Sequence, residues 1–201
     1  MPPVPFLEPV VLPGERVTLT PLSPRDHDDL AAAVRDGELW RLWYTRVPDP
    51  AGMREEITRR LALQAAGSML PFTVRATATG DALGMTTFLN ADAGNRRVEI
   101  GATWLRRTAQ GTGANAESKL LLLGHAFDDL GCIAVEFRTH WHNHGSRAAI
   151  ARLGAKQDGV LRSHEVMPDG SLRDTVVFSV IAAEWPAVRA GLRHRLTRSS
   201  G

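Results

Sequence analysis

The stretch from Arg106 to Leu130, RRTAQGTGANAESKLLLLGHAFDDL, constrains this chain more than any other. It follows a run that reads as a strand, Val98 to Leu105, opens on Gly111 and Gly113, and passes directly into a long apolar helix. Strand, glycine-bearing loop and helix start is an arrangement suited to phosphates. First-turn N–H groups lack intrahelical partners there, and the helix dipole adds about half a positive charge. Glycine lets the backbone approach a ligand with no side chain in the way. The same residues also suit a tight turn with a small-residue helix entry. No GxxxxGK[ST] occurs, since Leu120 follows Lys119, and no nucleotide-type βαβ unit surrounds the glycines.

A chain of 201 residues is expected to form one domain with a proper core. Hydrophobic content of 43% and charged content of 23% are ordinary for a globular protein. A net charge of +2 is too small to argue for nucleic acid, and none is expected as a partner; Arg189, Arg193, Arg195 and Arg198 read as a solvated basic tail. The single cysteine, Cys132, excludes an internal disulfide framework and suits a reducing compartment; it reads as a small buried hydrophobe. Met1-Pro2-Pro3-Val4-Pro5 has no basic start or apolar stretch of a signal peptide. No apolar run approaches the ~18 residues that would suggest a membrane span. A cytoplasmic location with no membrane partner is the expectation.

In chain order, residues 1–14 read as an extended proline-rich arm, 15–196 as the domain and 197–201 as a tail. Strands are expected at Arg16–Thr20, Pro71–Ala76, Ala82–Phe88, Val98–Leu105, Ile133–Thr139, Gly159–Val166 and Thr175–Ile181. Helices are expected from Ser23-Pro24, from Met53 to Ala66, after Gly113 to Leu130, from about Ser146 to Leu153, and from Glu184 to Leu196. In the fourth strand, alternation puts Val98, Ile100, Ala102 and Trp104 on one face and Glu99, Gly101 and Thr103 on the other. Leu120, Leu123, Phe127 and Leu130 form the apolar stripe of the helix that follows, widened by Leu121, Leu122 and Ala126. The result is a mixed α/β layer with hairpins at both ends.

With the glycine loop after the fourth strand, the chain resembles the GNAT superfamily of acetyl-CoA-dependent N-acetyltransferases over roughly Glu15 to Leu196. Within it, the ribosomal-protein N-terminal acetyltransferases are most similar. The resemblance is carried by Glu99-Ile100-Gly101-Ala102-Thr103-Trp104, by GTGANAESKLLLLGHAF, and by a TxxxNxxSxxAIxxLGA pattern from Thr139 to Ala155. The superfamily loop, Q/R-x-x-G-x-G/A, fits with Thr108 in its first position or with Asn115 in its last, so the pyrophosphate-binding amides stay open.

The resemblance implies a mostly antiparallel seven-stranded sheet flanked by helices, its fourth and fifth strands splayed to admit the pantetheine arm. It implies acetyl-CoA as co-substrate, no metal, and an acceptor that is a small amine or a protein N-terminus; a non-catalytic acyl-CoA-binding module is the alternative. Oligomeric state, a homodimer included, is not legible. Cofactor contacts carry over to Ile100, Ala102, Trp104, Gln110, Gly111, Thr112, Gly113, Ala114, Asn115, Asn143 and Ser146. Glu99 takes the place of the family's base, and Ser146 that of the group which protonates the leaving thiolate. Glu99 could equally be a surface glutamate paired with Arg97 or Arg138, and Asn143 and Ser146 could cap a helix. Trp40, Trp43 and Tyr44 are candidates for the acceptor wall, with core packing as the alternative. Arg106, Arg107, Lys119 and Arg147 are candidate phosphate partners, and the alternating His140, His142 and His144 lack a fourth ligand for zinc.

Overall fold

A computed structural model describes residues 6–198, in which eight strands form one sheet. In chain order the elements are β1 (Leu12–Pro13), β2 (Val17–Pro21), α1 (His27–Arg35), α2 (Met53–Ala65), β3 (Met69–Ala76), β4 (Ala82–Asp92) and β5 (Arg97–Leu105). Then follow α3 (Ala114–Gly124), β6 (Ala134–His140), α4 (His144–Arg152), β7 (Lys156–Val166), β8 (Leu172–Ile181) and α5 (Trp185–Arg198). The spatial order is β1-β2-β3-β4-β5-β6-β8-β7, and β5 with β6 is the parallel pair. The eighth strand, absent from the sequence reading, is the two-residue β1 pairing Leu12 with Leu19. Phe6, Leu7, Val10 and Leu12 of the expected arm pack on the main core; residues 1–5 and 199–201 lie outside the described part.

The turns form where the sequence places them. Ala76 and Ala82 flank the Thr79-Gly80-Asp81 turn, and Gly170 donates to the Met167 carbonyl at 2.9 Å to close the β7–β8 hairpin. The main core joins Leu19, Phe72, Phe88, Val98, Ile100, Val135, Phe137 and Val180 to Leu122 and Leu123 of α3, Ala126 of the turn that follows it, and Trp185, Val188 and Leu192 of α5. A smaller cluster on the other side of the sheet holds Leu30, Val34, Met53, Ile57, Met85 and Trp104, under α1 and α2.

Two expectations about faces need correction. The apolar stripe is centred on Leu122 and Leu123 of α3 and Ala126 of the turn that follows, all fully buried, with Leu120, Phe127 and Leu130 at its margin. Residues His125–Asp129 form a π-turn, and Leu130 N–H reaches back to the His125 carbonyl at 3.0 Å. The extra residue per turn rotates the stripe. In β5, Val98 and Ile100 join the main core but Trp104 joins the opposite cluster. Ala102 has φ +46°, and Gly101 and Trp104 stand opposite Thr87 and Met85, so β5 spends one more residue than β4. Such a bulge reverses which face each later side chain takes.

Candidate active site

The site begins where the sheet divides. β5 and β6 pair only at Arg97↔Ala134, Val98↔Val135 and Glu99↔Glu136. Beyond Glu99 they part, and a cavity of about 760 Å³ opens between Ile100–Leu105 on one side and Phe137–His140 on the other. Its far ends are lined by Gln110, Gly111 and Asn115 before α3, by Asn143 and Ser146 of the α4 start, and by Arg59 and Arg60 of α2.

Glu99 sits at the fork, 7% exposed, and accepts a hydrogen bond from Asn90 Nδ2 at 2.8 Å. Arg138 Nε lies 3.5 Å from the same carboxylate oxygen, while Arg97 pairs with Glu136 at 2.6 Å instead. Burial raises the Glu99 pKa above the ordinary carboxylate value, against the opposing pull of the Asn90 hydrogen bond and Arg138. A carboxylate buried at a cavity apex with one hydrogen bond and one cation can accept a proton.

The loop before α3 is shaped by its glycines. Gly111 and Gly113 have φ of +78° and +93°, and Gly113 caps α3. They face different ways. A Cβ on Gly111 would meet nothing within 4 Å, and Gly111 lines the cavity; a Cβ on Gly113 would lie 3.4 Å from Arg16 Cδ and Leu196 Cδ2. Gln110 lines the cavity with its side-chain amide bonded to the Leu105 carbonyl at 2.9 Å, and Asn115 lines it from the first turn of α3. Thr112 is exposed, its hydroxyl bonded to the Ala109 carbonyl at 2.8 Å, and Ala114 is buried; neither side chain lines the cavity. Glu117, one turn further, is buried and accepts the backbone N–H groups of Glu15, Arg16 and Val17, at 3.1, 2.7 and 2.7 Å, which anchors the loop to β2.

α4 begins at His144, two residues before the expected start, so Ser146 lies inside its first turn. Asn143 is the cap: its Oδ1 accepts from the Ser146 N–H at 3.0 Å. Both residues line the cavity. Of the aromatic trio, Tyr44 lines it, Trp43 packs edge-on to His140 at 5.1 Å while 54% exposed, and Trp40 packs against the small α1–α2 cluster. Trp40 is therefore half-buried against that cluster and does not line the cavity.

The candidate cations do not gather at the loop. Lys119 is buried, its Nζ donating to Thr103 Oγ1 at 2.8 Å and Thr86 Oγ1 at 3.1 Å, and burial lowers its pKa to about 7. Arg147 stacks on Trp141, 4.2 Å from the ring centroid, and Arg106 lines a separate recess with Asp29 and Asp36. His140 accepts from the His142 N–H through Nδ1 at 3.1 Å and stacks beside that ring. Cys132 is buried and its thiol is pushed up to about 11 by burial, far from the thiolate a nucleophile needs.

Sequence reasoning missed the ionic wall opposite the loop: Arg46, Glu165 and Arg173, with Arg46 to Glu165 at 3.0 Å and Arg173 to Glu165 at 3.7 Å. These residues come from three distant segments, and nothing in their spacing brings them together. Arg60 was missed although it carried a signal, a cation three residues after Ile57 on the buried side of α2.

Comparison with known proteins agrees with this architecture. The model of the acetyltransferase (GNAT) domain matches residues 16–156. A Bacillus subtilis (strain 168) protein provisionally named ribosomal N-acetyltransferase YdaF is 27% identical over 177 residues, covering 86% of this chain and 94% of the relative. The crystal structure of a GCN5-related N-acetyltransferase from Brucella melitensis superposes with a TM-score of 0.85 at 28% identity, over 96% of this chain and 87% of that one. Mycobacterium smegmatis RimJ, solved with CoA-disulfide, shares the fold at 22% identity with a TM-score of 0.76, over 94% and 93% of the two chains. Family match, split sheet and glycine loop agree, and the chain belongs to the GNAT family of acetyltransferases.

Proposed function

We propose that this acetyltransferase uses acetyl-CoA and acetylates the N-terminal amine of a protein. The observation that carries the reading is the parting of β5 and β6 just after Glu99 and Glu136, beside the glycine loop. The thioester supplies the activated acetyl group. The protein must hold it beside a neutral amine and manage two protons.

In this reading the backbone amides between Gln110 and Asn115 receive the pyrophosphate, as a helix start is suited to do. The freed edge of β5 from Ile100 to Trp104 runs along the pantetheine arm, and Asn143 Nδ2, left over from capping, is a donor for it. Thr112, Gly113 and Ala114 lie outside the cavity lining, and any part they take is through backbone amides at its loop end. Glu99 accepts the proton of the amine, directly or through water, and Ser146 donates one to the departing thiolate. The acceptor approaches along the wall of Tyr44, with Trp43 at its margin.

The acceptor class follows the names of relatives, YdaF above all, and the α2 wall's long charged side chains suit a peptide better than a small apolar amine. Thiol release from acetyl-CoA, measured with N-terminal peptides and with free amino acids and polyamines, tests it. Release with peptides and little with the others is expected. Tight acetyl-CoA binding without release for any acceptor would favour a non-catalytic module instead.

A further inference from the structure

Arg60 is the least exposed charged side chain among the described residues, at 2%. An ion so placed costs several kcal/mol in lost hydration unless its hydrogen bonds are well made. Its Nε donates to Glu56 Oε1 at 2.6 Å, one terminal nitrogen to Thr87 Oγ1 at 2.6 Å, and the other to the Ala102 carbonyl at 3.3 Å. Thr87 is on β4 and Ala102 on β5. The guanidinium fork thus spans the two strands at the place where their ladder is interrupted by the bulge.

Ala102 is the strained residue of that bulge, a non-glycine at φ +46°. Such a conformation costs about 1–3 kcal/mol and persists only where the surroundings impose it. In a trans peptide the Ala102 carbonyl and the Thr103 N–H point opposite ways, so fixing one fixes the other. Gly101, Ala102 and Thr103 all line the cavity on the edge that β6 has left. We infer that Arg60 is a positioning residue: through the Ala102 carbonyl it sets the orientation of the bulge peptides that face the pantetheine arm. This rests on the acetyl-CoA reading above.

The role predicts a selective loss. The arm runs along the bulge, whereas the phosphates meet the loop at Gln110–Asn115, so a loosened bulge should weaken ligands that carry the arm and spare those that do not. Calorimetry would compare CoA with adenosine 3′,5′-bisphosphate, which has phosphates but no pantetheine, on the parent, Arg60→Met and Arg60→Lys. Arg60→Met is expected to weaken CoA by about tenfold, the worth of one charged hydrogen bond, and to leave the bisphosphate unchanged. Arg60→Lys keeps a cation beside Glu56 but cannot span Thr87 and Ala102 together, and should fall between. If Arg60→Met fails to fold because Glu56 loses its buried partner and keeps only Arg59, the lysine variant and Thr87→Val carry the test. Equal weakening of both ligands, or unchanged CoA affinity in folded variants, would overturn the positioning role. A parent that binds neither ligand would sink the acetyl-CoA reading itself, and this role with it.

Discussion

On the α3 side, the slot is lined by Gln110, Gly111 and Asn115. The opposite side presents long ion-paired side chains: Arg46 with Glu165, Arg138 with Glu99, and Arg60 with Glu56. The first wall is specified locally, by glycines at positive φ and by a helix start that follows within a few residues. The second is assembled from α2, the loop after Arg41, β5, β6, β7 and β8. A backbone wall suits a ligand part that never varies. A side-chain wall can be altered one residue at a time, which is what an acceptor site requires.

The largest effect expected from disturbing this division falls at Glu99. Glu99→Gln keeps a partner for Asn90 but cannot accept a proton, and turnover should drop by about 10²–10⁴-fold near neutral pH. The loss should shrink at high pH, where the acceptor amine is already deprotonated. In the parent, the rate should fall as pH drops through a carboxylate pKa above the ordinary value, because protonated Glu99 is no longer a base. A pH–rate profile superimposable on the parent would end the case for Glu99.

Next in size is the contrast between the two glycines. Valine at either position strains a left-handed backbone, by about 1–2 kcal/mol. Gly111→Val also puts a branched side chain into the open space beside the cavity, and should weaken acetyl-CoA at least about tenfold. Gly113→Val instead presses on Arg16 and Leu196, and should lower the melting temperature with less effect on binding. Calorimetry and melting curves on both variants separate the outcomes; unchanged affinity in folded Gly111→Val would remove the loop from the site.

Smaller again is the effect at Asn143, where capping and ligand contact can be pulled apart. Asn143→Ala should lose about 1 kcal/mol of helix stabilisation along with the Nδ2 donor. Asn143→Ser keeps a capping oxygen but no amide. If Nδ2 meets the pantetheine arm, both variants should bind acetyl-CoA about fivefold more weakly while serine alone retains the parent's melting temperature. Serine with parental binding would leave Asn143 as a cap only.

The difference between the walls also explains what the sequence disclosed. Element order followed from local runs such as Val98–Leu105 and from the loop at Gly111 and Gly113, because each is written in adjacent residues, whereas the β5–β6 split and the place of Glu99 came only with the family resemblance. The face of Trp104 did not, since no glycine or proline marks the bulge at Ala102 and its geometry comes from β4 and Arg60 across the sheet. Trp40 and Trp43 are three residues apart in an irregular segment, where no period tells core from cavity wall. Lys119 read as a surface cation beside a phosphate site, yet it occurs within a helix whose neighbours Ser118, Leu122 and Leu123 are all buried.

Lys119 supplies the smallest expected effect and a probe of the backbone wall's rigidity. Its amine has hydroxyl partners in place of a carboxylate, and burial lowers its pKa to about 7 from an ordinary 10.5. Between those pH values the unfolded chain holds a proton that the native state has lost, so stability should rise with pH across this window. Below pH 7 both states carry the charge, and the native state bears the full cost of burying it. Lys119→Met removes the cost and orphans nothing, because Thr86 and Thr103 keep their mutual hydrogen bond of 2.8 Å. The variant should melt a few degrees above the parent at pH 6, with the gap closing progressively toward pH 10. A gap independent of pH would mean that Lys119 titrates alike in both states; water would then reach it, and the floor of the slot beneath Thr103 would be open and not packed.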